Sequence, residues 1–426
     1  MNKRKVIASL LIAGGLASPL AYATDGYFAH GYGMKSIGMG GVGIALPQDA
    51  LAAAINPAGM VMLGNRIDLG LNYFRPVRDA QTVGTAGGTG AYDQNLDGNG
   101  TTGFLIPEFG YNKMINPDTS LGVSVYGNGG MNTSYTTPVN LFGTSNAGID
   151  MSQLFIAPTW AMKLNQTNAV GVSLNLAYQM FAADGAQNFT APIGSPQQIS
   201  SAPGNVTNVG YDHSTGWGLR FGWTGQVTPD VTLGATYQTK TKMSKFDMYR
   251  GFFAGQGSFD IPANYGIGLA FKTTPDITVA VDLEEIQYSG IASVANPLMP
   301  NLVSGNLLGT DGGAGFGWKD QTVFKLGVSY QYQPNLVLRA GYNHGTAVIP
   351  SSETLFNIFA PATVQDHLTL GTTWTLANQG ELTVAYMHAF KDTINGSGSI
   401  PAMFGGGEAN LSMYQDSLGV AYGWKM

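Results

Sequence analysis

The chain has 426 residues, a formal net charge of -6 and no cysteine, and only 11% of its residues are charged while 60 are glycine. Soluble domains carry about 25% charged residues, so this composition favours a surface that faces lipid. The acidic balance argues against a nucleic-acid partner, and the lack of cysteine excludes a disulfide framework.

The amino terminus predicts a secretory signal peptide. A basic patch at residues 3–5 precedes an apolar run over about residues 6–17, and residues 21–23, Ala-Tyr-Ala, form a small-residue cleavage site. The apolar run is shorter than the roughly 20 residues that a membrane-spanning helix needs. We therefore expect cleavage after Ala23 and export through the periplasm. Cleavage would remove three basic residues and no acidic residue, which changes the formal charge from -6 to -9.

Residues 24–66 show no strand pattern, whereas the rest of the chain alternates with a period of two. Val170, Val172 and Leu174 face one side, for example, while Ser173 and Asn175 face the other. No stretch after the signal peptide reaches 18 uninterrupted apolar residues, so a closed barrel is the remaining way to cross a membrane. The pattern predicts fourteen strands, at 67–76, 103–114, 118–128, 151–164, 167–181, 214–228, 230–244, 260–272, 276–289, 320–333, 335–345, 366–376, 379–391 and 409–425.

The connections between these strands alternate in length. Tight-turn sequences such as Asn116-Pro117-Asp118 and Asn378-Gln379-Gly380 follow the even-numbered strands, and long connections follow the odd-numbered ones. Outer-membrane barrels have short periplasmic turns and long extracellular loops. The sequence therefore predicts an all-β fold, a fourteen-stranded antiparallel transmembrane barrel over residues 67–426 in the bacterial outer membrane, in contact with outer-membrane lipid.

The last predicted strand resembles the barrel-assembly signal of outer-membrane proteins. Ser417, Gly419, Tyr422 and Trp424 follow its polar, glycine, aromatic, aromatic spacing, but Lys425 and Met426 stand where a terminal aromatic residue is usual. We therefore expect the barrel-assembly machinery to be a partner of this chain.

Several segments resemble the outer-membrane long-chain fatty-acid transporter family, which includes toluene and xylene transporters. The amino-terminal part of the resemblance lies in the glycine run 38–43, in residues 47–49 and in Asn56-Pro57-Ala58. The carboxy-terminal part lies in residues 318–320, 338–342 and 366–371.

The resemblance implies a plug formed by residues 24–66 inside the barrel and passive transport of small hydrophobic molecules. It also implies capture by outer loops, a pocket beside the plug, and lateral exit at a kinked third strand. Long-chain fatty acids and aromatic hydrocarbons both remain open as substrates.

Within the expected plug, residues 38–43 formally match the dinucleotide-binding pattern G-x-G-x-x-G, but no strand precedes them and no βαβ unit follows. We interpret the glycines as sites where backbones pass closely in a crowded lumen. Asp49 is placed to cap a short helix over residues 50–55, which Asn56-Pro57 would end; contact with a ligand is the alternative role.

Three cations are expected on the lumen face of the wall: Arg220, Lys325 and Arg339. A carboxylate that crosses an apolar pocket needs a cation, because an unpaired buried charge costs several kcal/mol. These residues are therefore candidates for binding a substrate head group. The alternative is that they pair with carboxylates of the plug or wall such as Asp49 or Asp282.

Two outer loops carry unusual numbers of apolar residues. Candidates for substrate capture are Leu298, Met299, Leu302, Leu307, Leu355, Phe356, Ile358 and Phe359. Exposed apolar patches usually mark binding sites, but the same residues could pack on each other and close the barrel mouth. The third predicted strand is short and runs into Gly127, Gly129 and Gly130, which suit a kink and a lateral exit; the start of a glycine-rich loop is the alternative.

Other functions have weaker support. Asp93, Asn95 and Asp97 match the opening of a calcium-binding loop, but Phe104 stands where the bidentate Glu is required, so an acidic solvated loop is favoured. The sequence has neither G-x-S-x-G nor a cluster with metal-ligand spacing, so we expect no enzyme, metal or cofactor. A general diffusion porin and a surface adhesin are the alternative functions, and we expect a monomer.

Overall fold

The computed structural model describes residues 25–426, so the predicted signal peptide and the residue that follows it lie outside the described residues. Fourteen antiparallel strands close into a barrel because the last strand pairs with the first, with Lys425 opposite Arg66. The strands are β1 (Arg66–Val83), β2 (Phe104–Asn116), β3 (Thr119–Pro138), β4 (Asn146–Lys163), β5 (Asn168–Asp184), β6 (Asp212–Thr228), β7 (Val231–Gln238), β8 (Asn264–Thr274), β9 (Ile277–Ile286), β10 (Gln321–Gln333), β11 (Leu336–Gly345), β12 (Asp366–Thr375), β13 (Glu381–Ile394) and β14 (Glu408–Lys425). The predicted barrel is confirmed.

Shorter strands and helical turns occur in the loops and in the segment before β1. The short strand Gln94–Asp97 pairs antiparallel with β1, and the short strand Lys242–Met243 pairs antiparallel with β6. The α-helical turns are α1 (Met34–Ile37), α2 (Thr85–Gly88), α3 (Ala254–Gly257) and α4 (Ala292–Ala295). The 3-10 turns are Ala52–Ala54, Pro57–Met62, Gln187–Phe189, Pro203–Asn205, Asp247–Tyr249, Tyr288–Gly290, Ser351–Glu353, Phe356–Ile358 and Ala402–Phe404. Over residues 25–426, the helices are all too short or too polar to cross a membrane.

The two faces of the wall differ as the alternation predicts. On β5, Leu174 and Leu176 point outward and are exposed, whereas Ser173, Asn175 and Gln179 point inward and are fully buried. The outward face therefore offers an apolar belt to lipid. The inward face presents polar groups that are buried inside the barrel.

Residues 25–65, called here the inner segment, lie inside the barrel and contact its wall. The amide of Gly40 donates to the Thr369 hydroxyl at 2.7 Å, and the Asn56 side-chain amide donates to the Trp223 carbonyl at 2.9 Å. A Cβ on Gly341 would lie 2.1 Å from the Gly40 nitrogen, so glycine is required at this contact between the segment and the wall.

The third strand differs from its prediction. Instead of ending at residue 128, β3 continues through the glycines to Pro138, and its register against β4 shifts between Gly127 and Gly129. The glycines disturb the pairing at one position only. The extra residue forms a β-bulge, after which the ladder with β4 resumes. Strand β7 is shorter than predicted and ends at Gln238.

Candidate functional site

An inner cavity lies between the inner segment and the wall. Its lining is partly apolar, with Phe28, Ala54, Ile55 and Ile286, and partly ionic, with Asp25, Arg220, Glu284 and Lys325. Its volume is about 20 Å³, room for one or two waters. A hydrocarbon chain can occupy this position only after the inner segment has moved.

Lys325 reaches this cavity from β10 and is neutralised there. Its Nζ lies 2.9 Å from an oxygen of Glu284 on β9 and 3.7 Å from an oxygen of Asp25 in the inner segment. Lys325 therefore pairs with carboxylates of the inner segment and the wall, as the alternative expected, although the partners are Asp25 and Glu284 and not the examples Asp49 and Asp282. Asp282 instead accepts the amides of Gly43 and Ile44, at 2.7 and 3.0 Å, because the inner segment turns its backbone toward β9 there.

Asp25 is buried, and the Asn343 side-chain amide donates to it at 3.2 Å. Burial raises the pKa of the Asp25 carboxyl to about 6, although the nearby Lys325 ammonium acts in the opposite direction. The Asp25 contact with Lys325 is therefore an ionic link between the inner segment and the wall.

Arg220 lies on β6 and is only 3% exposed. Its guanidinium donates to the Ile55 carbonyl at 3.0 Å and to the Gln238 side-chain oxygen at 2.7 Å. Within residues 25–426, Arg220 has no carboxylate within 4.0 Å. It is therefore a buried cation that lines the inner cavity without an ion-pair contact of its own, although Asp25 and Glu284 line the same cavity. The predicted pairing with a plug or wall carboxylate was wrong for it.

Arg339 is separated from the inner cavity. It donates to the Gln48 side-chain oxygen at 3.0 Å and to the Thr373 hydroxyl at 2.7 Å, and its side chain does not line the cavity. No ion pair of Arg339 occurs in the described part of the chain, so Asp49 and Asp282 were wrong as its partners too. The structure brings Arg220 and Lys325 together but holds Arg339 elsewhere.

The predicted plug residues have structural contacts. Asp49 accepts the amide of Leu51 at 3.0 Å, next to a helical turn that is shorter than predicted, at Ala52–Ala54. The N-cap of this turn is Leu51, without a side-chain cap, so the predicted capping role of Asp49 was wrong. Asn56 accepts the amide of Ala58 at 3.1 Å and caps the next turn, Pro57–Met62. Asn56-Pro57 therefore begins a second turn as well as ending the first, because proline suits the first position of a helix.

The predicted capture residues are largely buried, which supports mutual packing over an exposed patch. Leu298, Leu302, Leu355, Phe356, Ile358 and Phe359 are at most 8% exposed, Met299 packs against them, and Leu307 is half-buried. Phe356 and Phe359 join Phe142, Phe252 and Phe316 in what we call the mouth cluster, with centroid distances from 4.6 to 5.9 Å. Apolar side chains from several loops reach each other over the lumen, which sequence order alone does not show.

An open apolar groove lies elsewhere on the outer loops. This outer groove has a volume of about 880 Å³. Its apolar lining includes Tyr92, Leu141, Pro192, Ile199, Met403 and Phe404. The sequence carries these residues on four different loops, so no single apolar run marks the groove.

A gap in the wall lies beside the bulge of β3. Pairing between β2 and β3 stops at Phe109 opposite Val125. Toward the extracellular end, β2 continues to Phe104 and pairs there with β1 alone. The freed edge of β3 pairs instead with the inner segment, where Phe28 stands opposite Gly129. The Ala29 amide donates to the Asn128 carbonyl at 3.1 Å, so the inner segment occupies the gap.

Sequence reasoning missed both acidic residues of the inner cavity, Glu284 and Asp25. Glu284 shares the lumen-facing parity of Asp282 on β9, so alternation could have found it. Asp25 lies in a segment without periodicity and is brought to Lys325 only by the path of the inner segment. For residues 25–426, no group of three or more metal-ligating side chains is placed to hold a metal ion.

Comparison with known proteins gives one consistent family. The sequence profile of the outer membrane protein transport protein family (OMPP1/FadL/TodX) matches residues 20–400. The chain is 23% identical to the long-chain fatty acid transport protein of Escherichia coli K12, over 91% of this chain and 94% of that protein.

Solved structures agree in fold. The Pseudomonas putida toluene transporter TodX aligns with a TM-score of 0.69 and 18% identity over 93% of this chain and 99% of that chain. A Pseudomonas aeruginosa FadL homologue aligns with a TM-score of 0.69 and 16% identity, over 94% and 99% of the two chains. The profile match over most of the chain and the fourteen-stranded barrel show that this chain belongs to the OMPP1/FadL/TodX family of transport proteins of the bacterial outer membrane.

Proposed function

We propose that the protein carries small hydrophobic molecules with an anionic head group, such as long-chain fatty acids, inward across the outer membrane without energy coupling. The observation that carries this proposal is Arg220, a buried cation without a carboxylate partner that lines a partly apolar cavity. A buried charge is costly unless it is paired, so a substrate carboxylate would satisfy a need that the described residues leave open.

The proposed route has three parts. The outer groove is the capture site in place of the buried mouth residues, because it is apolar and open to the exterior. The inner cavity, after displacement of the inner segment, is the binding pocket. The gap beside Gly127, Gly129 and Gly130 is the lateral exit, and the contact of residues 27–29 with β3 has to break for a substrate to leave.

Binding measurements on the purified barrel test the head-group role. We expect Arg220→Gln to weaken oleate binding at pH 8 about tenfold or more, since hydrogen bonds to charged groups contribute about 1.5–3 kcal/mol. Toluene binding should hardly change. Arg339→Gln is the matched control, because Arg339 faces the lumen away from the cavity. Equal losses of oleate binding in both variants would remove the head-group proposal.

Neutral aromatic hydrocarbons are the second candidate. Phe28 and Ile286 give the cavity apolar surface that needs no ionic partner. Toluene binding at least as tight as oleate binding, and unchanged by Arg220→Gln, would favour this candidate. A general porin would instead show large, stable ion conductance in a planar bilayer, and we expect none because the inner segment fills the lumen.

A further inference from the structure

The outward face of β13, β14 and β1 changes from apolar to charged at one level. Leu418 and Tyr73 are exposed to the outside and belong to the apolar belt. The next outward pair toward the extracellular end is Arg75 and Asp416, which stand directly opposite each other with 3.9 Å between their charged atoms. This is the first charged pair on the outward face of β1 and β14, and we take it as the level of the membrane boundary, with Val77, Tyr414 and Phe390 beyond it.

Polar aromatic clusters occupy the same boundary. Asp416 accepts the Tyr386 hydroxyl at 2.7 Å and contacts the His388 ring nitrogen at 2.9 Å. The arrangement recurs on β11 and β12, where Asp366 contacts both Tyr342 and His344. Amphipathic rings of this kind favour the level of the lipid head groups, where the apolar part of the ring contacts lipid and its polar group contacts water.

A polar depression, called here the flank groove, begins just beyond this boundary. It has a volume of about 430 Å³, within the range of small-molecule sites. It crosses the outward face from the strand Gln94–Asp97 over β1 and β14 to β13. Its polar lining includes Asp79, Gln81, Asn95, Lys391, Asn410 and Ser412.

The flank groove offers hydrogen-bonding groups and one free cation. The Gln81 side-chain amide donates to Asn95 at 2.9 Å, which fixes the acceptors and donors on the groove floor. Lys391 is exposed, and in the described residues no carboxylate lies within 4.0 Å of its ammonium. Amides, hydroxyls and carboxylates bind sugar hydroxyls, while an unpaired lysine binds a phosphate or carboxylate.

We infer that the flank groove binds the saccharide head group of an outer-leaflet glycolipid. A groove that faces sideways just beyond the apolar belt meets lipid head groups before any soluble ligand. Its hydroxyl, amide and carboxylate lining matches a polyhydroxylated head group, Lys391 matches an anionic substituent on it, and the acyl chains lie against Tyr73 and Leu418 below. This site is separate from the transport route.

Native mass spectrometry of the full barrel tests this inference. The protein is titrated with a rough-type lipopolysaccharide and, separately, with phosphatidylglycerol. We expect Lys391→Ala and Ser412→Trp, which fills the groove, each to weaken lipopolysaccharide binding about tenfold while phosphatidylglycerol binding stays unchanged. The control is Lys242→Ala, an exposed lysine on the strand beside β6.

Two results would overturn the inference. One is lipopolysaccharide binding that is equal in the natural protein and both groove variants. The other is an equal loss of phosphatidylglycerol binding, which would show a general lipid contact. Heat-modifiable migration in gels verifies folding. If Ser412→Trp does not fold, Lys391→Ala decides, because an exposed lysine can be shortened without disturbing the barrel.

Discussion

His30 of the inner segment and His367 of β12 stack on each other, with ring centroids 5.9 Å apart and ring planes inclined by 11°. Both residues are buried. Burial lowers the pKa of His30 well below 6.5, and the neighbouring His367 and Lys325 add to this effect. The stacked pair is therefore a neutral contact between the inner segment and the wall.

Acid should loosen this contact. Because the folded-state pKa of His30 is depressed, its contribution to stability is complete above the unfolded pKa of about 6.5 and is lost as pH falls toward the folded value. We expect a single cysteine in place of buried Ser36 to react faster with maleimide at pH 5.5 than at pH 7, relative to a cysteine in place of exposed Ser397. His30→Phe, which keeps a ring without a titratable group, should flatten this difference. An unchanged pH dependence would contradict the role of His30.

Asp49 should act in the opposite direction. Burial, and then the nearby Asp68, raise the pKa of Asp49 to about 6. The stabilisation that follows is present below about pH 3.8 and is lost as pH rises through about 6. Asp49→Asn keeps an oxygen for the Leu51 amide.

We therefore expect the urea midpoint of Asp49→Asn in detergent to equal or exceed that of the natural protein at pH 7. The difference between pH 4 and pH 7 should be smaller in the variant. A variant with a lower midpoint at pH 7 would show that the ionised carboxylate is needed for stability.

Removal of the Lys325 ammonium should destabilise the protein. Lys325→Met leaves Glu284 and Asp25 without their cation, and breaking a buried ion pair from one side costs about 3–5 kcal/mol. Urea unfolding measures this loss. The double variant Lys325→Met with Glu284→Gln should recover part of it, and equal stability of the single and double variants would contradict the coupling.

Gly129 should control how the inner segment meets the gap. A Cβ at this position would lie 1.9 Å from the Tyr27 carbonyl oxygen, so Gly129→Val should displace residues 27–29 from β3. We expect faster hydrogen exchange at the Ala29 amide and altered uptake of hydrophobic substrate. Gly204→Val is the control, since no atom lies within 4 Å of its added Cβ. Unchanged uptake despite faster exchange would argue against an exit at this place.

The sequence by itself determined the barrel. An apolar residue at every second position, as in Leu174 and Leu176, and turns such as Asn116-Pro117-Asp118 are local signals, because side chains alternate across a strand and tight turns need particular residues. The thirteen connections alternate in length, which determined the number of strands and placed the start of the first strand and the end of the last strand both on the periplasmic side. Lumen parity also identified Arg220, Lys325 and Arg339 as inward-facing cations.

Only the tertiary structure decided which of these side chains meet. Lys325 pairs with Asp25, which lies 300 positions earlier in the sequence, whereas Arg220 has no carboxylate partner in residues 25–426. Neither outcome could be predicted, because the inner segment has no periodicity and its path is set by packing inside the wall. The same holds for Phe356, which is apolar in a loop and becomes buried when other loops supply rings beside it. Alternation assigns a face to each residue, whereas contacts inside the lumen depend on the whole closed barrel.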